Sequence, residues 1–203
     1  MGQSRDHSAL AVVERADLVL DEMDWIRYER LRRVRFRVLF AERVRLGTPY
    51  PDVVERVRQV ARNPQLAGRC ALVMDATGVG APVLDLLRQA DLGCGIEAVI
   101  LTGGERESHS GGLWRVPQRD VVAGLRTMLE KDELGLSRKV KGAGTLLKEL
   151  ADMGARMTVR GRVSFGAQRE GSHDDLVMAT ALACWRARWK PRGIWGTKSL
   201  GLF

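Results

Sequence analysis

The run Cys70-Ala71-Leu72-Val73-Met74 ends in Asp75 and is bounded by Arg69 on one side and Gly78 on the other. A short unbroken apolar stretch with turn signals at its ends fits a central strand buried on both faces. Ala76-Thr77-Gly78-Val79-Gly80 then reads as a turn, and Ala81 to Ala90 places Val83, Leu84, Leu86 and Leu87 at helical spacing. Strand, tight turn and helix in that order constrain the chain to an α/β architecture. Asp75 then falls at the carboxyl end of a strand, where open α/β sheets hold their ligands. The glycines do not make a dinucleotide fingerprint, because position 83 is Val and the pair does not follow the strand directly.

A second acidic position has a different setting. His173-Asp174-Asp175-Leu176-Val177-Met178 leads into an alanine-rich apolar run that reads as a buried helix from His173 to Trp189. Acidic residues at a helix start are favoured by its free amides and positive dipole end. Two in a row beside a core concentrate negative charge, which a hard divalent cation relieves. Asp75, Asp174 and Asp175 are therefore the candidate metal ligands and catalytic groups.

The rest of the chain supplies a mixed α/β pattern. Ser8 to Glu14, Leu18 to Leu20 and Val34 to Phe40 read as strands, the last with Val34, Phe36, Val38 and Phe40 on one face and Arg35 and Arg37 on the other. Helices are expected over about 52–62, 119–131 and 143–153. Further strands are expected at Ile96 to Leu101, Leu134 to Ser137 and, as an edge strand or hairpin, Arg156 to Phe165. Thr102 to Pro117 reads as a long loop. Residues 1–189 form one domain, and 190–203, with Pro191, three glycines and basic residues, reads as a poorly ordered basic tail.

Lys and Arg number 33 against 25 Asp and Glu, a formal charge of +8. That excess favours a polyanionic partner, nucleic acid before an anionic membrane. No apolar run approaches the roughly 18 residues of a membrane span, and Met1 to Asp6 does not resemble a signal peptide. Cys70, Cys94 and Cys184 lie in or beside apolar segments without disulfide or zinc spacing, so they read as small buried hydrophobes in a reducing, intracellular setting. Trp185 and Trp189 share a helix face and read as core. Arg138, Lys139 and Lys141, with Arg160, Arg162 and Arg169, are candidates for a phosphate-contacting rim. His173 suits either a turn or a proton-donating role, while His7 and His109 fall in loops.

Seven segments in order resemble the nuclease domain of the large terminase subunit of tailed bacteriophages. They are Gly2 to Leu10 (GQSRDHSAL), Leu46 to Pro51 (LGTPYP), Val73 to Gly80 (VMDATGVG), Thr102-Gly103-Gly104, Val116 to Asp120 (VPQRD), Lys148-Glu149-Leu150 and His173 to Val177 (HDDLV). The resemblance implies a ribonuclease H-like fold, a mixed sheet flanked by helices. It implies cleavage of concatemeric double-stranded DNA during genome packaging, in the cytoplasm of a bacterial host. It also implies partnership with a terminase ATPase domain, a small terminase subunit and a portal. Such domains hold two divalent ions, Mg2+ or Mn2+, on carboxylates of the first strand, a central strand and the last helix. Asp75 matches the central strand, and Asp174 and Asp175 match the helix. Oxygen ligands suit these hard cations. A pair of ions about 4 Å apart activates water and stabilises the leaving oxygen of an in-line displacement, with no protein nucleophile required.

The chain departs from that pattern twice. The first-strand Asp that usually precedes the Gly-Gln-Ser segment is replaced by Met1 or lies before it. The phosphate loop of the packaging motor, Gly-x-x-x-x-Gly-Lys-Ser/Thr, is absent. The expectation is an isolated nuclease domain, a fragment or a prophage remnant. The alternative is a non-catalytic DNA-binding module with a nuclease fold and an incomplete metal site. A structure-selective resolvase and a nucleotide-binding α/β domain are the further readings.

Overall fold

The computed structural model describes residues 7–78, 80–160, 174–189 and 198–202. The chain begins with two long strands, β1 (Ala9–Asp24) and β2 (Glu29–Arg43), followed by α1 (Tyr50–Ala61). The unit around Asp75 follows as β3 (Cys70–Asp75), α2 (Gly80–Gln89) and β4 (Gly95–Thr102). A short β5 (Ser108–Ser110), β6 (Leu113–Pro117), α3 (Gln118–Glu130) and β7 (Leu134–Leu136) lead into α4 (Ala143–Arg160), α5 (Asp175–Ala187) and β8 (Lys198–Leu202).

The strands form one mixed sheet in the order β5-β6-β4-β3-β8-β1-β2-β7. Its centre is parallel from β8 through β3 and β4 to β6, while β1 runs antiparallel to both β8 and β2. Side-chain alternation sends the two faces of this sheet into two cores. On one face Leu10, Val12, Leu72 and Met74 pack with Val54 and Val57 of α1 and Val83 and Leu87 of α2. On the other, Ala9, Ala11, Val13 and Val73 pack with α5, with Val121 and Leu125 of α3 and with Leu146 of α4. The architecture is thus α/β with helices on both faces, as the strand-turn-helix unit at Asp75 requires.

Helix α5 is buried along almost its whole length, lying across β1, β2, β3 and β8 and against α3 and α4. A helix apolar all round is expected to be covered on every side. Its alanines permit a close approach to β8, where a Cβ at Gly201 would overlap the Ala179 carbonyl oxygen. Burying a side chain such as Leu182 fully is worth about 1.5–3 kcal/mol, and Leu182 is completely covered.

Four differences from the sequence reading have physical causes. Leu39 is an extra residue in β2, because Val12 pairs with Phe40 and Val13 with Val38. This bulge turns Phe40 to the α1 face, under the Arg56 guanidinium, while Val34, Phe36 and Val38 stay on the α5 face. The four residues therefore do not share one face. Residues 156–160 continue α4 instead of starting a strand, and residues 161–165 lie outside the described residues. The loop expected over 102–117 contains β5 and β6, with Gly111 and Gly112 at positive φ making the turn between them. Finally, residues 198–202, expected in a poorly ordered tail, form β8 between β1 and β3, while 190–197 and 203 lie outside the described residues. The alternating Leu200 and Leu202 are the apolar signal that the Gly and Lys content outweighed.

Beyond β8 and β7, β1 and β2 continue as a two-stranded ribbon whose tip exposes Trp25, Ile26 and Tyr28. Among the described residues no helix is long and apolar enough to cross a membrane.

Candidate acidic site at the sheet edge

Asp75 closes β3 with its side chain 4% exposed. Its Oδ1 accepts the backbone N–H of Thr77 at 2.8 Å, an Asx-type turn that carries the chain toward Gly78 at φ +75° and α2. The Thr77 hydroxyl oxygen in turn accepts the N–H of Leu101 on β4 at 2.7 Å, tying the turn to the neighbouring strand. Burial pushes the Asp75 carboxyl above the usual carboxylate range, and hydrogen bonding to Thr77 opposes part of that rise.

A second carboxylate pair sits where α5 begins. Asp175 and Glu149 are 4% and 5% exposed, and the guanidinium of Arg43, the last residue of β2, lies against both. Arg43 donates to Glu149 Oε1, and its Nε stands 3.5 Å from Asp175 Oδ2. The other Glu149 oxygen accepts the backbone N–H groups of Leu176 at 3.0 Å and Val177 at 3.1 Å. A carboxylate from α4 therefore caps α5, satisfying amides that a helix start leaves open and meeting its positive dipole end. Asp174 occupies the N-cap position, yet its side chain makes no capping bond; only its carbonyl takes the Met178 N–H, at 2.9 Å. Burial, with the adjacent Asp175 charge adding to it, pushes the Glu149 carboxyl up, while Arg43 and the two amides pull it down.

Sheet register brings these groups to one end of one face. Ala9 pairs with Arg43, Leu10 with Leu202, and Leu202 with Met74, so Arg43, Ala9 and Asp75 lie in the same transverse row. Three strand spacings separate Arg43 from Asp75, about 14 Å between backbones. Asp75 follows Val73 in alternation and so faces the α5 side with Ala9 and Ala11. Of the five buried polar residues among the described ones, three, Asp75, Glu149 and Asp175, thus lie toward the end of the sheet where α5 begins.

Glu149 and Arg43 were absent from the sequence-derived candidates. Glu149 lies inside the Lys148-Glu149-Leu150 segment, whose spacing carried no chemical signal of its own. Arg43 looked like one arginine among many until the register set it beside α5. His173, Arg162, Arg169 and residues 1–6 lie outside the described residues. Lys141 is ion-paired to Glu42 at 2.7 Å, so one member of the expected basic rim is occupied.

The donor set suits a hard divalent cation in its chemistry, since every candidate ligand is a carboxylate oxygen. Its arrangement is another matter. Among the described residues no three His, Cys, Asp or Glu side chains stand close enough to share an ion. Arg43 supplies the positive charge between Glu149 and Asp175. Comparison with protein-family models, curated proteins and solved structures finds no match.

Proposed function

We propose that this chain is a metal-dependent DNA endonuclease domain of terminase type, with a ribonuclease H-like fold, acting on double-stranded DNA during genome packaging in a bacterial host. One observation carries the reading: Asp75, Glu149 and Asp175 are each buried toward the same end of one sheet face. Burying carboxylates is costly, and a fold that does so three times at one edge has a use for concentrated negative charge. The excess of basic residues elsewhere suits a polyanionic substrate. Asp75 and Asp175 are the proposed ion ligands, with Asp174 beside them. A bound Mg2+ or Mn2+ pair would polarise the phosphodiester and lower the pKa of an attacking water. A terminase ATPase domain, a small terminase subunit and a portal are the partners this reading assigns.

Arg43 favours a second reading, a DNA-binding module with a nuclease fold and no cutting activity. Its guanidinium already neutralises the Glu149 and Asp175 pair, so a cation entering there competes with it. Incubating supercoiled plasmid with Mn2+, Mg2+ or EDTA, beside an Asp75→Ala variant, separates the two. Nicking or linearisation that needs both metal and Asp75 is the expected result. Intact plasmid in every lane, with salt-sensitive binding in a gel shift, makes the chain a binding module.

A further inference from the structure

Cys70 and Cys94 do not behave as the buried hydrophobes that the sequence suggested. Only Cys184 is buried, and burial pushes its thiol up to about 12, which leaves it protonated and unreactive. Cys70 and Cys94 are each half-buried and within reach of solvent. In the parallel ladder Ala71 pairs with Gly95, so the preceding residues, Cys70 and Cys94, lie side by side where β3 and β4 begin. Neighbouring strands are about 4.8 Å apart, within the roughly 4.4–6.8 Å between Cα atoms that a disulfide spans. Both side chains pack against the α1 and α2 core and therefore leave the sheet on the same face. The two thiols also touch. A hydrogen bond from Cys70 holds the Cys94 thiol below its ordinary pKa, with the Leu72 backbone assisting and partial burial opposing.

We propose that Cys70 and Cys94 form an oxidation site, a vicinal dithiol across β3 and β4 that a hydroperoxide converts to an intrachain disulfide. In the first step the Cys94 thiolate attacks one peroxide oxygen, the O–O bond breaks, and hydroxide leaves and takes up the proton that the thiol released. In the second, the Cys70 sulfur attacks the sulfenic sulfur of Cys94, the S–O bond breaks, and the Cys70 proton leaves with the hydroxyl as water. Two thiols and one hydrogen peroxide thus give one disulfide and two waters. The bond closes a ring containing β3, α2 and the turn that leads into β4. It lies at the opposite end of β3 from Asp75, so the acidic site is not part of the reacting pair.

The test is made on the folded, reduced protein. Hydrogen peroxide is added, the reaction is quenched, the protein is unfolded in excess N-ethylmaleimide, and peptides are mapped by mass. The expected product lacks two hydrogens and joins the Cys70 and Cys94 peptides, while Cys184 carries maleimide. Cys70→Ser is expected to leave a sulfenic acid on Cys94 that dimedone traps. Wild-type mapping stands by itself if that variant does not fold. Maleimide on both cysteines after peroxide overturns the proposal, as does a bond to Cys184 or sulfinic acid without a linked peptide.

Discussion

The two ends of α5 solve the same problem in opposite ways. At its start the helix meets the buried Glu149 and Asp175 and the partly buried Arg43, two negative groups with one positive. Trp185 in its last turn and Trp189 two residues past its end pack with Trp114 at ring-centroid distances of 5.6 and 5.0 Å. Exposed Glu107, Asp120 and Arg188 line a cleft there, the Trp185 N–H donates to Glu107 at 3.2 Å, and Arg15 donates to the carbonyls of Ala187 and Arg188 at 3.1 and 2.8 Å. The aromatic end is what a helix terminus needs for stability: apolar area, edge-to-face contacts and a satisfied indole. The acidic end is not, because a hydrophobic replacement of similar volume often equals or betters a buried ion pair. Buried carboxylates kept at one end only are therefore the feature that calls for a functional explanation.

The largest effect is expected where that contrast is broken outright. Arg43→Ala leaves two buried carboxylates without their cation and should cost about 3–5 kcal/mol in urea denaturation. If the pair accepts a metal, added Mn2+ recovers part of that loss in the variant and changes the wild type less. Leu182→Ala, in the middle of the same helix, removes packing without touching charge. It should cost about 2–5 kcal/mol, with no response to Mn2+. At the aromatic end, Trp189 is 45% exposed, so Trp189→Ala should lose only about 0.5–1.5 kcal/mol from its ring contacts.

The smallest effect sharpens the comparison through pH. Asp75 and Glu149 both have folded-state pKa values raised by burial. The folded protein holds their protons at a pH where the unfolded chain has released them. Their contribution is therefore fully present below the ordinary carboxylate range and falls as pH rises through the raised values. Asp75→Asn keeps an oxygen to accept the Thr77 N–H and removes the charge. Its urea midpoint at pH 7 should lie above that of the wild type, and the gap should close as pH falls through that range. Asp120→Asn at the other end, with a side chain about half exposed and paired to Arg119 at 3.5 Å, should change stability by less than about 1 kcal/mol at any pH.

Much of the scaffold is legible in the sequence because it rests on local pattern. The apolar run before Asp75, the helix after it and the start of α5 lie within two residues of where periodicity and capping chemistry place them. What escapes is set by contacts distant in sequence. The bulge at Leu39 depends on the partner strand, and β8 is a strand only because a slot exists between β1 and β3. The acidic site divides the same way. Asp75 and Asp175 stand out locally, while Glu149 and Arg43 acquire meaning when α4 and β2 converge on α5 from 26 and 132 residues away. Asp174, the more natural cap by position, yields that role to Glu149, which reaches two helix amides from outside the helix.

The central claim is that the acidic end of α5 binds a divalent cation. It is tested most directly by titrating the protein with Mn2+ and following the free ion by electron paramagnetic resonance, comparing wild type, Asp75→Asn and Asp120→Asn. The account predicts binding by the wild type, unchanged binding by Asp120→Asn, and a loss of roughly tenfold or more in affinity for Asp75→Asn. No binding by the wild type, or equal binding by all three proteins, contradicts it.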